Sequence, residues 1–265
     1  MTQPARLDLP VLIELREVEK TYQTADGPLT SLRAVSFDVR EGEFLSIVGP
    51  SGCGKSTLLK ILAGLLPLTR GEARINDRRV DGPQDGVGMV FQSPVLLAWR
   101  DVLSNIMLQI EIRGLEWEAY RRRALELLQI VGLAGFERKR PWELSGGMQQ
   151  RVAICRALVH DPSLLLMDEP FGALDAMTRE TMNLELQRIW LATKKTVLFV
   201  THSIPEAVFL SDRVLVMTER PGTVDKIYDI PLPRPRSLQN MGTPEFSALA
   251  QAIRGHFFAQ GIVDH

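Results

Sequence analysis

The chain has only two cysteines, Cys53 and Cys155, among 265 residues. That is too few for a disulfide framework or a cysteine-rich zinc site. Charge of one sign is equally scarce: 31 Lys and Arg stand against 32 Asp and Glu, a formal net charge of −1. Bulk electrostatics therefore gives no pull toward nucleic acid or anionic lipid. No apolar run approaches the roughly 20 residues that cross a bilayer. The start, Met1-Thr2-Gln3-Pro4-Ala5-Arg6, lacks the apolar core of a signal peptide. There is no internal repeat and no low-complexity tract. What remains is ordinary globular composition, 45% hydrophobic and 24% charged, of a length for one large domain or two small ones. A cytosolic protein is expected.

The most informative stretch is Gly49-Pro50-Ser51-Gly52-Cys53-Gly54-Lys55-Ser56-Thr57, which fits G-x-x-x-x-G-K-[ST]. An apolar run at 43–48 reads as a buried strand before it, and 58–64 has helical spacing that stops at a glycine. Glycines there let successive N–H groups point inward as an anion nest, and a helix opening at that point adds its positive dipole end. Lys55 is placed to reach β- and γ-phosphates and Ser56 to ligate Mg²⁺.

Earlier in the chain, residues up to about Pro10 read as a frayed tail, followed by two strands on either side of an Asp26-Gly27-Pro28 turn. Two such strands before the phosphate loop suggest an antiparallel β-subdomain built onto an α/β core. Tyr22 reads either as a half-buried strand aromatic or as a face for a nucleotide base. Gln92 ends a short strand candidate at 87–91. It reads either as a polar loop residue or as a contact to metal or water near the phosphate.

Residues 93–162 change texture and read as a mostly helical insert, with helices over 102–112 and 116–131. Within it, Leu144-Ser145-Gly146-Gly147-Met148-Gln149-Gln150-Arg151 opens a further helix. Ser145 is a natural N-cap, and the glycines leave helix-start N–H groups uncovered, so capping and a second phosphate site are both open readings. The run Leu164-Leu165-Leu166-Met167 suits a strand buried on both faces, and it ends in Asp168 and Glu169. Asp168 fits a metal-side acid, and Glu169 a general base for water. Gly172-Ala173-Leu174-Asp175 is a short loop before an amphipathic helix over 177–191. A further buried strand at 196–201 runs into His202, either a functional strand-end histidine or a structural or merely exposed one, and 214–217 and 223–228 finish the sheet.

Taken together and in this order, residues 49–57, Gln92, 144–151, 164–169, Asp175 and His202 resemble the ATP-binding subunit of ATP-binding cassette transporters, over about residues 11–236. The resemblance implies a P-loop NTPase core with a RecA-like, mostly parallel sheet, an antiparallel β-subdomain and the helical insert. It implies a cassette over 11–233, a tail at 1–10 and a C-terminal extension at 234–265 with a short helix. It further implies that Tyr22 stacks on adenine, that Gln92 links Mg²⁺ to the membrane subunit, and that Glu169 is the catalytic glutamate and His202 the switch histidine. Ser145, Gly146, Gly147 and Gln149 fall in its signature motif, which faces the γ-phosphate held by the other protomer, and Asp175 in the loop after the strand acids. The stretches 91–99, 202–213 and Arg220-Pro221-Gly222 resemble the nitrate, sulfonate and taurine importer branch, with Ala98 where the branch often has proline.

The expectation is an ATPase with ATP and Mg²⁺ as cofactors, on the inner face of the membrane. Its partners would be permease subunits and, indirectly, a substrate-binding protein, with no nucleic acid. One chain offers two phosphate-binding helix starts but a single Lys55–Asp168 pair. This favours a head-to-tail homodimer, or pairing with a similar subunit, around two ATP molecules. The rivals are a soluble cassette ATPase acting on DNA or the ribosome, disfavoured by the missing basic stripe, and a plain P-loop kinase, disfavoured by 144–151 and His202.

Overall fold

The computed structural model describes residues 9–259, so the expected tail at 1–10 lies outside it apart from Leu9 and Pro10. Turn residues and apolar runs divide the chain in order. The strands β1 (Val11–Thr24), β2 (Gly27–Arg40) and β3 (Phe44–Val48) come first, then helix α1 (Lys55–Leu62), β4 (Arg70–Ile75), β5 (Arg78–Arg79) and β6 (Val87–Val90). Four helices follow: α2 (Val102–Ile106), α3 (Leu108–Ile112), α4 (Trp117–Ile130) and α5 (Gly146–Leu158). The rest are β7 (Leu164–Asp168), α6 (Ala176–Thr193), β8 (Thr196–Val200), α7 (Ile204–Leu210), β9 (Arg213–Met217), β10 (Val224–Asp229) and α8 (Pro244–Ala259). They fall into two compact units, residues 1–84 with 195–265, and residues 85–194.

In the first unit, β1 and β2 form the antiparallel hairpin read from the turn, with Thr24 opposite Gly27. β4 pairs on the other side of β1 and β5 beyond it, giving the order β2-β1-β4-β5. A bulge shifts the register between Leu15 and Val18, with Glu17 at φ 49. β4 crosses that bulge at Gly71, where a Cβ would sit 2.1 Å from the Glu17 carbonyl oxygen, so only glycine fits. The other strands are of a different kind. β3 pairs in parallel with both β8 and β9, and β10 adds an antiparallel edge to β9. Every residue of β3 and β8 is buried, Ser46 and Thr196 included, which is why both read as mostly apolar runs rather than alternating ones.

After the sheet the chain returns across the end of α7 through two arginines. Arg234 pairs with Asp212 at 2.8 Å. Arg236 is 2% exposed and donates to five carbonyl oxygens, those of Val208, Phe209, Ser211, Ile230 and Leu232. The last carbonyls of α7, which have no partner within the helix, are thus satisfied by a guanidinium.

In the second unit, β6 and β7 pair in parallel with Val90 opposite Met167. α5 packs on β6, α2 and α4, burying Ile154, Cys155 and Leu158. The helix expected over 102–112 is two helices, α2 and α3, separated at Met107. Ile110 N–H bonds the Met107 carbonyl at 2.9 Å, a tightened i+3 turn. Asn105 is fully buried: its oxygen accepts from Leu97 N at 2.7 Å, and its amide holds the carbonyls of Leu97, Arg100 and Asp101. A sequence pattern carries the periodicity of 102–112 but not this tie to the loop before it.

The α/β class expected from the sequence is what the structure shows, with parallel pairs β3–β8, β3–β9 and β6–β7 beside a separate antiparallel sheet.

One titratable group in this unit sets a pH dependence. Burial, with the Arg113 and Arg123 charges nearby, pushes the His160 imidazole down to about 4. In the unfolded chain it titrates near 6.5. Between those values the unfolded chain takes up a proton that the folded chain refuses. Stability is therefore complete above about pH 6.5 and declines as pH falls toward 4. His160→Gln is expected to flatten this limb. Urea midpoints at pH 7.5 and pH 5 check it; an equal drop in both proteins would rule out His160 as the cause.

Candidate functional site

The chemistry-bearing residues of the first unit leave the carboxyl ends of β3 and β8. These strands are parallel neighbours with Ile47 opposite Val200, so Gly49 and His202 emerge at one edge. From β3 the chain turns through residues 49–54 into α1. Gly54 is the N-cap at φ 108, a left-handed conformation that favours glycine, and no side chain caps this helix. The first-turn N–H groups are thus left for something other than the helix's own cap.

Lys55 is 5% exposed. Its Nζ donates to the carbonyl oxygens of Gly49 and Pro50, each at 2.8 Å, and lies 3.9 Å from Cys53 Sγ. Two carbonyls hold the ammonium in place without neutralising it. A buried cation beside an uncapped helix start is an arrangement that favours an anion. Cys53 is 1% exposed and burial pushes its thiol up, so it is no ready nucleophile.

The loop is buttressed from outside. A Cβ on Gly222 would lie 2.0 Å from the Cys53 carbonyl oxygen, so the 218–223 turn rests directly on it. The same turn is tied to β2 by Gly222 N to Ser31 O at 2.9 Å and Arg33 N to Gly222 O at 3.0 Å. Tyr22 is half-buried and its hydroxyl lies 3.2 Å from Thr57 Oγ1. Lys20 Nζ stands 5.3 Å over its ring. The structure thus places Tyr22 against the loop helix. His202 is exposed. It is bracketed by a clasp in which Thr201 Oγ1 donates to Glu206 Oε2 and accepts from Ser203 N at 3.0 Å.

In the second unit, β6 and β7 end side by side and release Gln92 and the pair Asp168 and Glu169. Glu169 sits at φ 45, left-handed for a non-glycine residue. Its carboxylate and the Gln92 amide converge on Gly172. A Cβ there would lie 3.2 Å from Gln92 Nε2 and 3.7 Å from Glu169 Oε2. Sequence reasoning named both residues without their meeting point.

Ser145 caps α5, its Oγ accepting from Met148 N at 3.3 Å. Gly146 is exposed, and a Cβ on it would lie 3.7 Å from Leu174. A Cβ on Gly147 would be 3.0 Å from Thr178. The start of α5 therefore lies against Leu174 and the first turn of α6. Asp175 caps α6, accepting from Thr178 Oγ1 at 2.6 Å and Thr178 N at 3.0 Å, and these bonds hold its carboxyl below the usual range. Gln149 turns its amide to the carbonyls of Pro141 and Leu144, at 2.9 and 3.3 Å. Its observed partners belong to the chain itself.

Sequence reasoning missed the grip of α5 on the Gln92 loop through Gln150 and Arg156. Both lie in or just after the stretch it had singled out, but nothing in their spacing tells which carbonyls they meet.

The family described as "ABC transporter" matches residues 32–172. Similar proteins include a taurine import ATP-binding protein, TauB, of Rhizobium johnstonii, 47% identical over 84% of this chain and 87% of its own length. An aliphatic sulfonates import ATP-binding protein, SsuB, of Bacillus cereus is 43% identical over 95% of this chain and 98% of its own. Among solved structures, the dimeric structure of MJ0796, a bacterial ABC transporter cassette, matches at TM-score 0.72 and 36% identity, covering 83% of this chain and 99% of that one. A post-hydrolysis dimer of the same cassette, bound to ADP and Pi, matches at TM-score 0.71 and 35% identity over the same shares.

Proposed function

This chain belongs to the ABC transporter family, and from that premise we propose that it is the ATP-hydrolysing subunit of an importer whose cargo is a small organosulfonate. The observation that carries the ATPase part is Lys55, a buried ammonium held by two loop carbonyls beside Cys53 at an uncapped helix start. The names of the taurine and sulfonate relatives support the cargo class.

In this reading residues 11–233 are the cassette, 93–162 its helical insert and 234–265 an extension carrying α8. The amides of 49–57 and Lys55 hold the triphosphate, and Tyr22 meets the base. Ser56, Gln92 and Asp168 offer a hydroxyl, an amide oxygen and a carboxylate, a set of hard oxygen donors that fits Mg²⁺. When bound, that ion neutralises charge on the β- and γ-phosphate oxygens. Glu169 takes the proton of the attacking water, and His202 stabilises the transferring group. Ser145, Gly146 and Gly147, with Gln149 behind them and Asp175 beside them, face the nucleotide of the second protomer.

The permease is expected to dock where Gln92 is carried. Trp99 is 71% exposed, Val95 59% and Phe91 38%, and buried Asn105 fixes the loop around Leu97 and Arg100. Exposed apolar surface around a rigid loop suits a short partner helix. No helix among the described residues is long and apolar enough to cross a membrane, so attachment at the inner face would run through this docking. Trp99→Ala should lower co-purification with the permease and vesicle transport several-fold while sparing the ATPase of the isolated subunit. Equal loss of both activities would make Trp99 a stabilising residue, full transport would show that the permease does not dock at Trp99, and a parent protein with no co-purifying permease would point to a soluble cassette ATPase instead.

A further inference from the structure

Gln92 is gripped on both sides by one helix. Before it, the Phe91 carbonyl accepts from Gln150 Nε2 at 3.3 Å, and Gln150 is 1% exposed. After it, Arg156 donates Nη2 to the Pro94 carbonyl at 2.7 Å and Nη1 to the Val95 carbonyl at 2.8 Å. Both donors project from α5, the helix that Ser145 opens. Val95 holds φ 47, a conformation a β-branched residue adopts only under constraint. Arg156 is half-buried and burial works against its charge, a cost that the two carbonyls offset. Within the same unit, the Gln92 amide and the Glu169 carboxylate converge at Gly172.

We propose that Arg156, seconded by Gln150, is a positioning residue for Gln92: the helix that starts at Ser145 sets where the Gln92 amide stands relative to Glu169. The proposal rests on the reading of Gln92 as a metal-side residue. Its consequence is mechanical. The first turn of α5 serves the nucleotide of the partner protomer, and its middle and last turns hold the loop that serves its own. A shift of α5 on dimer closure moves Gln92 with it, because planar guanidinium bonds to two consecutive carbonyls fix orientation as well as distance. The same loop presents Trp99, so the permease contact and Gln92 move as one piece.

The test is a double-mutant cycle on the full-length protein, read as ATPase rate against Mg²⁺ concentration and as amide hydrogen exchange over residues 91–97. Removing an outer partner of a metal-side group typically costs about 10–100-fold in affinity or activity. Gln92→Ala and Arg156→Ala are each expected to raise the Mg²⁺ needed for half-maximal rate by about tenfold or more. Arg156→Ala should add nothing further in the Gln92→Ala background, since it acts only through that amide. It should also speed exchange over 91–97 while leaving α5 protected. Arg156→Lys, a single ammonium in place of the fork, should fall between, and it takes the place of Arg156→Ala if that variant does not fold. Independent, multiplicative losses in the double variant, or unchanged exchange over 91–97, would overturn the proposal alone. An unaltered Mg²⁺ dependence in Gln92→Ala would overturn the metal-side assignment of Gln92, and this proposal with it.

Discussion

Glu169→Gln is expected to bind Mg-ATP, lose about 10²–10⁴-fold of its turnover and pass from monomer to dimer when ATP is added. Glutamine keeps the shape of the side chain but cannot accept the proton of the attacking water at neutral pH. The left-handed backbone at Glu169 and the approach of its carboxylate to the Gln92 amide are properties of place, which the substitution preserves. Binding survives because Lys55 and the amides of the phosphate loop are untouched. Unhydrolysed ATP is then expected to stay between two protomers and hold them together. Asp168→Asn should instead weaken the use of Mg-ATP itself and give no trapped dimer. Size-exclusion chromatography with and without ATP, beside a phosphate-release assay, decides the matter. Near wild-type turnover of Glu169→Gln would remove Glu169 from the catalytic role.

Arg236→Ala should be strongly destabilising. Its guanidinium is buried and satisfies five carbonyl oxygens from two chain segments. Orphaning a buried acceptor costs about 1–3 kcal/mol, and some of the five would recover water as the segment loosens. A loss of about 4 kcal/mol is therefore expected, which for a chain of this size lowers Tm by about 10 °C. Lysine has three donors on a point charge and cannot match a planar fork, so Arg236→Lys should recover only a minor part. ATP hydrolysis per folded molecule should be unchanged, because Arg236 caps the end of α7 and not its start near His202. A melting temperature within 2 °C of the parent would show that these carbonyls find other partners.

The elements that carry the candidate site were legible because their signals are local. The strand, loop and helix at 43–64, the apolar run into Asp168 and Glu169, and the capped start of α5 were each read from neighbours a few residues apart. Burial on both faces writes itself into β3, β7 and β8 as mostly apolar runs rather than alternating ones. Phosphate-loop chemistry requires glycines and a lysine at fixed spacing. These were enough to give the fold class and the family.

Only the tertiary structure decided how the site's side chains are held. It turned Lys55 back onto Gly49 and Pro50, brought Gln92 and Glu169 together over Gly172, and divided the helix expected at 102–112. It set Arg156 on a carbonyl 61 positions away in the chain and Arg213 on Glu43, 170 positions away. Hydrophobic periodicity and turn chemistry are properties of consecutive residues, so a sequence carries them directly. Which carbonyl a guanidinium meets depends on strand register and on the crossing of elements far apart in the chain, and the residue types at either end leave that open.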